Sequence, residues 1–130
     1  MTKQKDIENR KDIELLVNSF YKKVLKDETI GYIFNDVAKI DWKKHLPLMY
    51  NFWETTILHK ASYKGNPMKI HIDLNTKEPL NKAHFDQWLL MFNETVDELF
   101  EGEKAEMAKT RALSIATIMQ IKIYQSSNQI

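Results

Sequence analysis

The chemistry open to this chain is narrowed first by how its histidines are spaced. His45, His59, His71 and His84 stand far apart, with no His-x-x-x-His pair and no Glu-x-x-His within a helix. A di-iron helical bundle needs a repeated carboxylate–histidine pattern, and a zinc hydrolase needs three protein ligands, usually two from one helix. Zero cysteines exclude thiolate metal sites, iron–sulfur clusters, disulfides and covalent cofactor attachment through Cys-x-x-Cys-His. The three glycines are isolated, so no phosphate-cradling loop exists, and spacing nominates no Ser–His–Asp set.

A site served by one protein ligand survives this elimination, and His71 is the residue best placed for it. The stretch Tyr63-Lys64-Gly65-Asn66-Pro67-Met68-Lys69-Ile70-His71 reads as a turn followed by a helix start. The Asn66 side chain can cap free N–H groups, and Pro67 at the first helical position lacks the donor that would be orphaned there. His71 then falls in the second turn, on the side shared by Pro67, Met68 and Leu74. One histidine on a rigid apolar ridge is what an iron or zinc ion asks of a single ligand. Haem fits the remainder: the porphyrin supplies four nitrogens, one histidine the fifth bond, and the sixth position stays open.

Further polar groups sit on apolar helical stripes. Tyr21 continues the stripe Ile13, Leu16, Val17, Phe20, so its ring should be buried and its hydroxyl needs a partner. His45 lies three residues after Trp42 and four before Met49, at the edge of an inward face. Trp88 is central in a third stripe and brings a donor with no acceptor capacity. Taken singly, each reads first as a structural residue, as most such side chains are.

The elements that must position these residues are helices. The first stripe runs from Ile13 to Val24, and a break follows from Gly31 to Ile40. Asp41 caps a second helix with the stripe Trp42, Leu46, Met49, Tyr50, Trp53, Ile57, and Pro47 inside it predicts a kink or an ended first turn. A loop from Lys60 leads to the short helix carrying His71. Phe85, Trp88, Leu89, Phe92, Val96, Leu99 and Phe100 mark a third long helix, which Gly102 separates from a fourth. On that fourth helix Ala105, Ala108 and Ala112 permit close packing, and Ile115 and Ile118 beyond them could wall a cavity. The expected architecture is all-α, one domain over residues 1–130, with four long helices and one short one. Nineteen basic against eighteen acidic side chains give a net charge of +1, which makes no case for nucleic acid or a membrane surface as partner. The polar N-terminus contains no signal-peptide core, and no run is long enough to span a bilayer, so a soluble cytoplasmic protein is expected.

Several segments together resemble the truncated haemoglobins, and specifically their third group. They are Phe20-Tyr21-Lys22-Lys23-Val24, Asp41-Trp42-Lys43-Lys44-His45-Leu46-Pro47, Asn51-Phe52-Trp53-Glu54, the Tyr63–His71 stretch, and His84-Phe85-Asp86-Gln87-Trp88-Leu89. The likeness covers about Asp12 to Ala116, and the absence of Gly-Gly pairs favours the third group over the first two. The resemblance implies a shortened globin fold, a two-over-two helical sandwich around non-covalent haem b (iron protoporphyrin IX). It places His71 on the proximal iron ligand, and Tyr21, His45 and Trp88 on the polar residues of the ligand side. His59 and Lys60 depart from the family pattern, and His59 is given no site role. Phe34, Phe52, Trp53, Met68 and Phe92 are expected as apolar walls, although plain core residues would look the same.

A donor facing a bound ligand that carries partial negative charge contributes roughly 1.5–3 kcal/mol, and each 1.4 kcal/mol is about tenfold in affinity. Tyr21 and Trp88 together would therefore slow the escape of dioxygen by orders of magnitude. Slow release suits chemistry on the ligand better than delivery. The expected function is redox chemistry such as nitric oxide dioxygenase-like or peroxidase-like turnover, with electrons from an external reductase. The alternatives are a non-catalytic oxygen sensor or store, and a haem-free helical interaction protein.

Overall fold

The computed structural model describes residues 4–33, 41–59 and 82–127, the last four of these by backbone alone. Four helices occur among the described residues: α1 (Arg10–Lys26), α2 (Trp42–Leu58), α3 (Lys82–Leu99) and α4 (Glu103–Ser127). No strand occurs among the described residues. The break after α1 begins earlier than the sequence implies, at Asp27, and helical backbone resumes at Gly31. Asp27 ends α1 and starts this next turn: its carboxylate accepts the N–H groups of Thr29 (2.8 Å) and Ile30 (3.0 Å). Gly31 sits tightly against the end of α1. A Cβ at this position would lie 3.0 Å from the Val24 carbonyl oxygen and 3.1 Å from that of Leu25.

Asp41 caps α2 as expected, its carboxylate accepting the Lys43 N–H at 3.2 Å. Pro47 neither ends nor interrupts the element, which continues to Leu58. The donor that proline lacks would have served the Lys43 carbonyl one turn earlier. Lys43 and Pro47 are both exposed, so water can take that acceptor. His59 closes α2 in the left-handed conformation at φ 59°, which gives this histidine a capping position.

Packing follows the stripes. α1 lies against α2 and α3, α3 packs along α4, and α2 leans on α4. Ile13, Leu16, Val17, Phe20 and Val24 are buried on α1, and Phe92 and Val96 on α3. Ala105, Ala108, Ala112 and Ala116 are almost fully buried, so the backbone of α4 approaches its neighbour without bulky side chains between them. Farther along, Ile115 is half-buried against the core, whereas Ile118 is 46% exposed.

The polar N-terminus contributes more than its composition indicates. Ile7 is 1% exposed and belongs to the main core. Asp6 caps α4 from almost a hundred residues away, accepting the N–H groups of Lys104 and Ala105 at 2.8 Å each. Burial pushes the Asp6 carboxyl up, but these donors and the Ile7 N–H outweigh it and hold it below its ordinary value. Gly102, at φ +144°, lets the strap in: a Cβ there would overlap the Asp6 side chain at 2.6 Å.

Candidate ligand site

One face of α1 and the first turn of α2 meet at a group of three rings. Tyr21 and Trp42 lie with ring centroids 5.1 Å apart, Tyr21 and His45 at 5.5 Å, and Trp42 and His45 at 5.4 Å. The Tyr21 hydroxyl and His45 Nε2 are 3.3 Å apart, with donor and acceptor set by the imidazole tautomer. Burial pushes the Tyr21 phenol well above its ordinary value, so it keeps its proton, and its ability to donate, at neutral pH.

Phe20 joins this group to a second one. Its ring stands edge-on to Trp88 (5.7 Å, 84°) and to Phe92 (5.3 Å, 84°), and touches Tyr21 at 5.2 Å. Trp88 stacks on Phe92 at 5.7 Å and 13°, and Phe92 stacks on Trp53 at 4.8 Å and 21°. A three-ring ladder thus runs from α3 across to α2 and fixes the plane of the Trp88 indole. Phe52 abuts the far side of Trp53 at 5.2 Å. Stacked and edge-on pairs each contribute about 0.5–1.5 kcal/mol beyond their burial, so this network is both rigid and cohesive. Among the described residues the Trp88 indole N–H has no hydrogen-bond acceptor.

Six of the residues singled out from the sequence, Tyr21, His45, Phe52, Trp53, Trp88 and Phe92, therefore fall in one connected aromatic network. Trp53 and Phe92 are 4% and 1% exposed and turn their faces to each other, while Phe52 and Trp88 are half-buried. His71, Phe34 and Met68 lie outside the described residues. His84 stands apart from the network, with Nε2 3.4 Å from the Tyr32 hydroxyl at the foot of α3. No group of three or more His, Cys, Asp or Glu able to hold a metal occurs among the described residues. Sequence reasoning gave no site role to Trp42 or Phe20. The available signals were their spacing: Trp42 precedes His45 by three residues, on the same helical face, and Phe20 adjoins Tyr21.

Several half-buried apolar side chains pack against the core: Leu46, Met49 and Phe52 from α2, Trp88 and Leu89 from α3, and Ile115 from α4. Apolar walls with a few convergent donors make the usual composition of a cofactor pocket.

Comparison with known proteins agrees with this arrangement. A family model described as bacterial-like globin matches residues 5–123. A group 3 truncated haemoglobin of Campylobacter jejuni is 33% identical over 120 residues, covering 90% of this chain and 92% of the relative. A crystal structure of a group III truncated haemoglobin from Campylobacter jejuni superposes with a TM-score of 0.82 at 31% identity, over 98% of this chain and 100% of the other. The four-helix arrangement is accordingly the truncated globin fold. The chain belongs to the bacterial-like globin family, and is a haem-binding globin of the truncated, third-group type.

Proposed function

We propose that this single globin domain binds haem b non-covalently through His71, presents Tyr21, His45 and Trp88 to a diatomic ligand, and serves redox chemistry on that ligand. When bound, haem supplies an iron centre with one open coordination position and access to more than one oxidation state. The observation that carries the proposal is the convergence of Tyr21, His45 and Trp88 in one aromatic network, with the Trp88 donor unused among the described residues. Phe52, which keeps accessible surface, is the described wall residue for the macrocycle, together with Phe34 and Met68. Trp53 and Phe92 form the packed layer behind it and set the tilt of Trp88. Neutral His71 would hand its second ring N–H to a nearby acceptor to fix its tautomer. Tyr21 and Trp88 would donate to the ligand, retaining it long enough for reaction with nitric oxide or peroxide. Electrons come from a separate reductase, and the cytoplasm is the compartment we assign. No helix among the described residues is long and apolar enough to cross a membrane.

The test begins with the purified chain. An intense Soret band that disappears in His71→Ala and returns with added imidazole is the expected result, and unchanged haem uptake by the variant refutes the ligand assignment. Ferrous oxygenated protein mixed with nitric oxide should yield nitrate at close to one equivalent. Absence of both nitrate formation and peroxide turnover removes the redox reading and leaves a store or sensor.

A further inference from the structure

The net charge of +1 conceals an uneven placing of cations. Lys5, Arg10, Lys23, Lys82 and Lys109 each hold a carboxylate. Lys11, Lys22, Lys26, Lys43 and Lys44 hold none among the described residues, and all five are exposed. Helix packing gathers four of them. Arg10 meets Asn51 and Glu54, Asn18 meets Tyr50, and Tyr21 meets His45, so α1 and α2 run antiparallel. The last turns of α1, with Lys22 and Lys26, therefore lie beside the first turn of α2, with Lys43 and Lys44. Lys11 extends the surface along α1. It shares one helical strip with Leu15, Lys22 and Lys26, and Leu15 is 47% exposed.

Helix stability accounts for only part of this. Lys26 in the last turn of α1 suits the negative end of the helix dipole. Lys43 and Lys44 stand at the positive end of α2, whose first turn contains no acid, so the dipole adds to their charge. The acids nearest in the chain do not quench it. Asp27 accepts the N–H groups of Thr29 and Ile30 and the Gln87 amide, and Asp41 accepts the Lys43 backbone N–H. Glu28 is exposed and makes no ion pair among the described residues. A concentrated positive surface thus remains open to a negative partner. Lys22 and Lys44 adjoin Tyr21 and His45 in the chain, so a molecule seated there stands against the ligand site.

We propose that Lys22, Lys26, Lys43 and Lys44, with Lys11 and Leu15 at the margin, dock an electron-transfer protein that is acidic around its redox centre. The inference rests on the redox reading above and says where its reductant binds. Such encounters bury little area and depend on charge to steer the partners together. One exposed leucine amid lysines fits that pattern. A lipid surface would ask for several exposed apolar side chains beside the cations, and nucleic acid for a chain basic as a whole. The exchange is a single electron: the partner's reduced cofactor is oxidised and ferric haem held by the chain becomes ferrous, with no bond made or broken.

The experiment uses the haem-loaded full chain and reduced flavodoxin, a small acidic electron-transfer protein, as probe. Stopped-flow reduction of the ferric chain at low salt should slow about tenfold in Lys22→Glu/Lys43→Glu. Arg111→Glu/Lys122→Glu changes the net charge equally on α4 and should slow it less than about twofold. Added salt should slow the native reaction and leave the Lys22/Lys43 variant little changed. Reduction by reduced lumiflavin, a small reductant without an acidic face, should be the same in all three proteins, and so should the rate of haem loss. Equal slowing in the two variants overturns the proposal. So does faster haem loss in Lys22→Glu/Lys43→Glu with lumiflavin reduction slowed alike, which would mean that the lysines serve the cofactor. Tighter binding to phosphatidylglycerol vesicles or duplex DNA than to flavodoxin also overturns it. Should the Glu variant fail to fold, Lys22→Gln/Lys43→Gln gives the same comparison at smaller amplitude. If the native chain takes up no haem, the redox reading fails. Amide shifts at Lys22, Lys26, Lys43 and Lys44 on adding flavodoxin then still decide the docking surface, and their absence overturns it.

Discussion

The two ends of the α1–α2 interface are built from different materials. At the N-terminal end of α1, Arg10 donates to Asn51 (2.9 Å) and to Glu54 (3.1 Å), whose side chain is only 10% exposed. Close by, Asp12 accepts two contacts from Lys5 Nζ, at 2.8 and 2.9 Å, and the Glu8 N–H at 2.8 Å. In the middle, the Tyr50 hydroxyl donates to Asn18 at 2.5 Å. At the far end stand Tyr21 and His45, 3.3 Å apart among aromatic rings. Charge-assisted bonds of short length fix one end of the helix pair. The contact described at the other end is longer and joins a phenol to an imidazole. The charged anchors lie at the end away from Tyr21 and His45, the groups proposed to meet a ligand.

The comparison breaks if the anchored end proves soft. Arg10→Met should cost about 2 kcal/mol of stability, less than the 3–5 of a fully buried pair because 40% of the Arg10 side chain remains in water. Denaturant unfolding measures this, and ligand release should change by less than about twofold in the same variant. The opposite pattern is expected at the Tyr21 end. Tyr21→Phe should speed oxygen release by about tenfold (~1.4 kcal/mol) while costing less than ~1 kcal/mol in unfolding. Equal behaviour of the two variants in both assays would erase the distinction.

The carboxylate at Asp12 sharpens it through pH. Burial pushes this group up, but the Lys5 hydrogen bond and the Glu8 N–H outweigh that, and the carboxyl sits below its ordinary value. A depressed folded value contributes stability that is complete above the unfolded value of about 3.9. That contribution is lost as pH falls through the folded value. Asp12→Asn should therefore be less stable than the native chain by about 1 kcal/mol at neutral pH. The gap should close as unfolding curves are taken from pH 5 toward pH 2, and a gap independent of pH would refute the assignment. Tyr50→Phe is the mildest change, expected at about 0.5–1 kcal/mol with ligand release unaffected.

Much of the frame was legible because helical periodicity is local. The stripes through Ile13–Val24, Trp42–Ile57 and Phe85–Leu99 emerge as α1, α2 and α3, and the Asp41 cap and the Gly102 boundary fall where spacing put them. Pro47 sits inside α2 without ending it, since the cost of an interior proline depends on whether its orphaned carbonyl can reach water, and here the residues concerned are exposed. The N-terminal strap was illegible for the opposite reason. Asp6 looks like one charge in a polar tail, and its role exists only once the start of α4 is brought to it. Glu54 reads as surface until Arg10 arrives from the preceding helix.

Within the site, residue type and register were enough to nominate Tyr21, His45 and Trp88, because polar groups on apolar stripes are costly and therefore informative. What the sequence alone determined is the helical class, the lack of any multi-residue metal cluster motif, and the chemistry of the available donors. Only the tertiary structure decided that Trp42 lies against both Tyr21 and His45, and that Trp53 and Phe92 back Trp88 in one stack. Periodicity specifies which side of a helix faces inward. The angle and distance at which two such faces meet depend on how every other pair of helices packs.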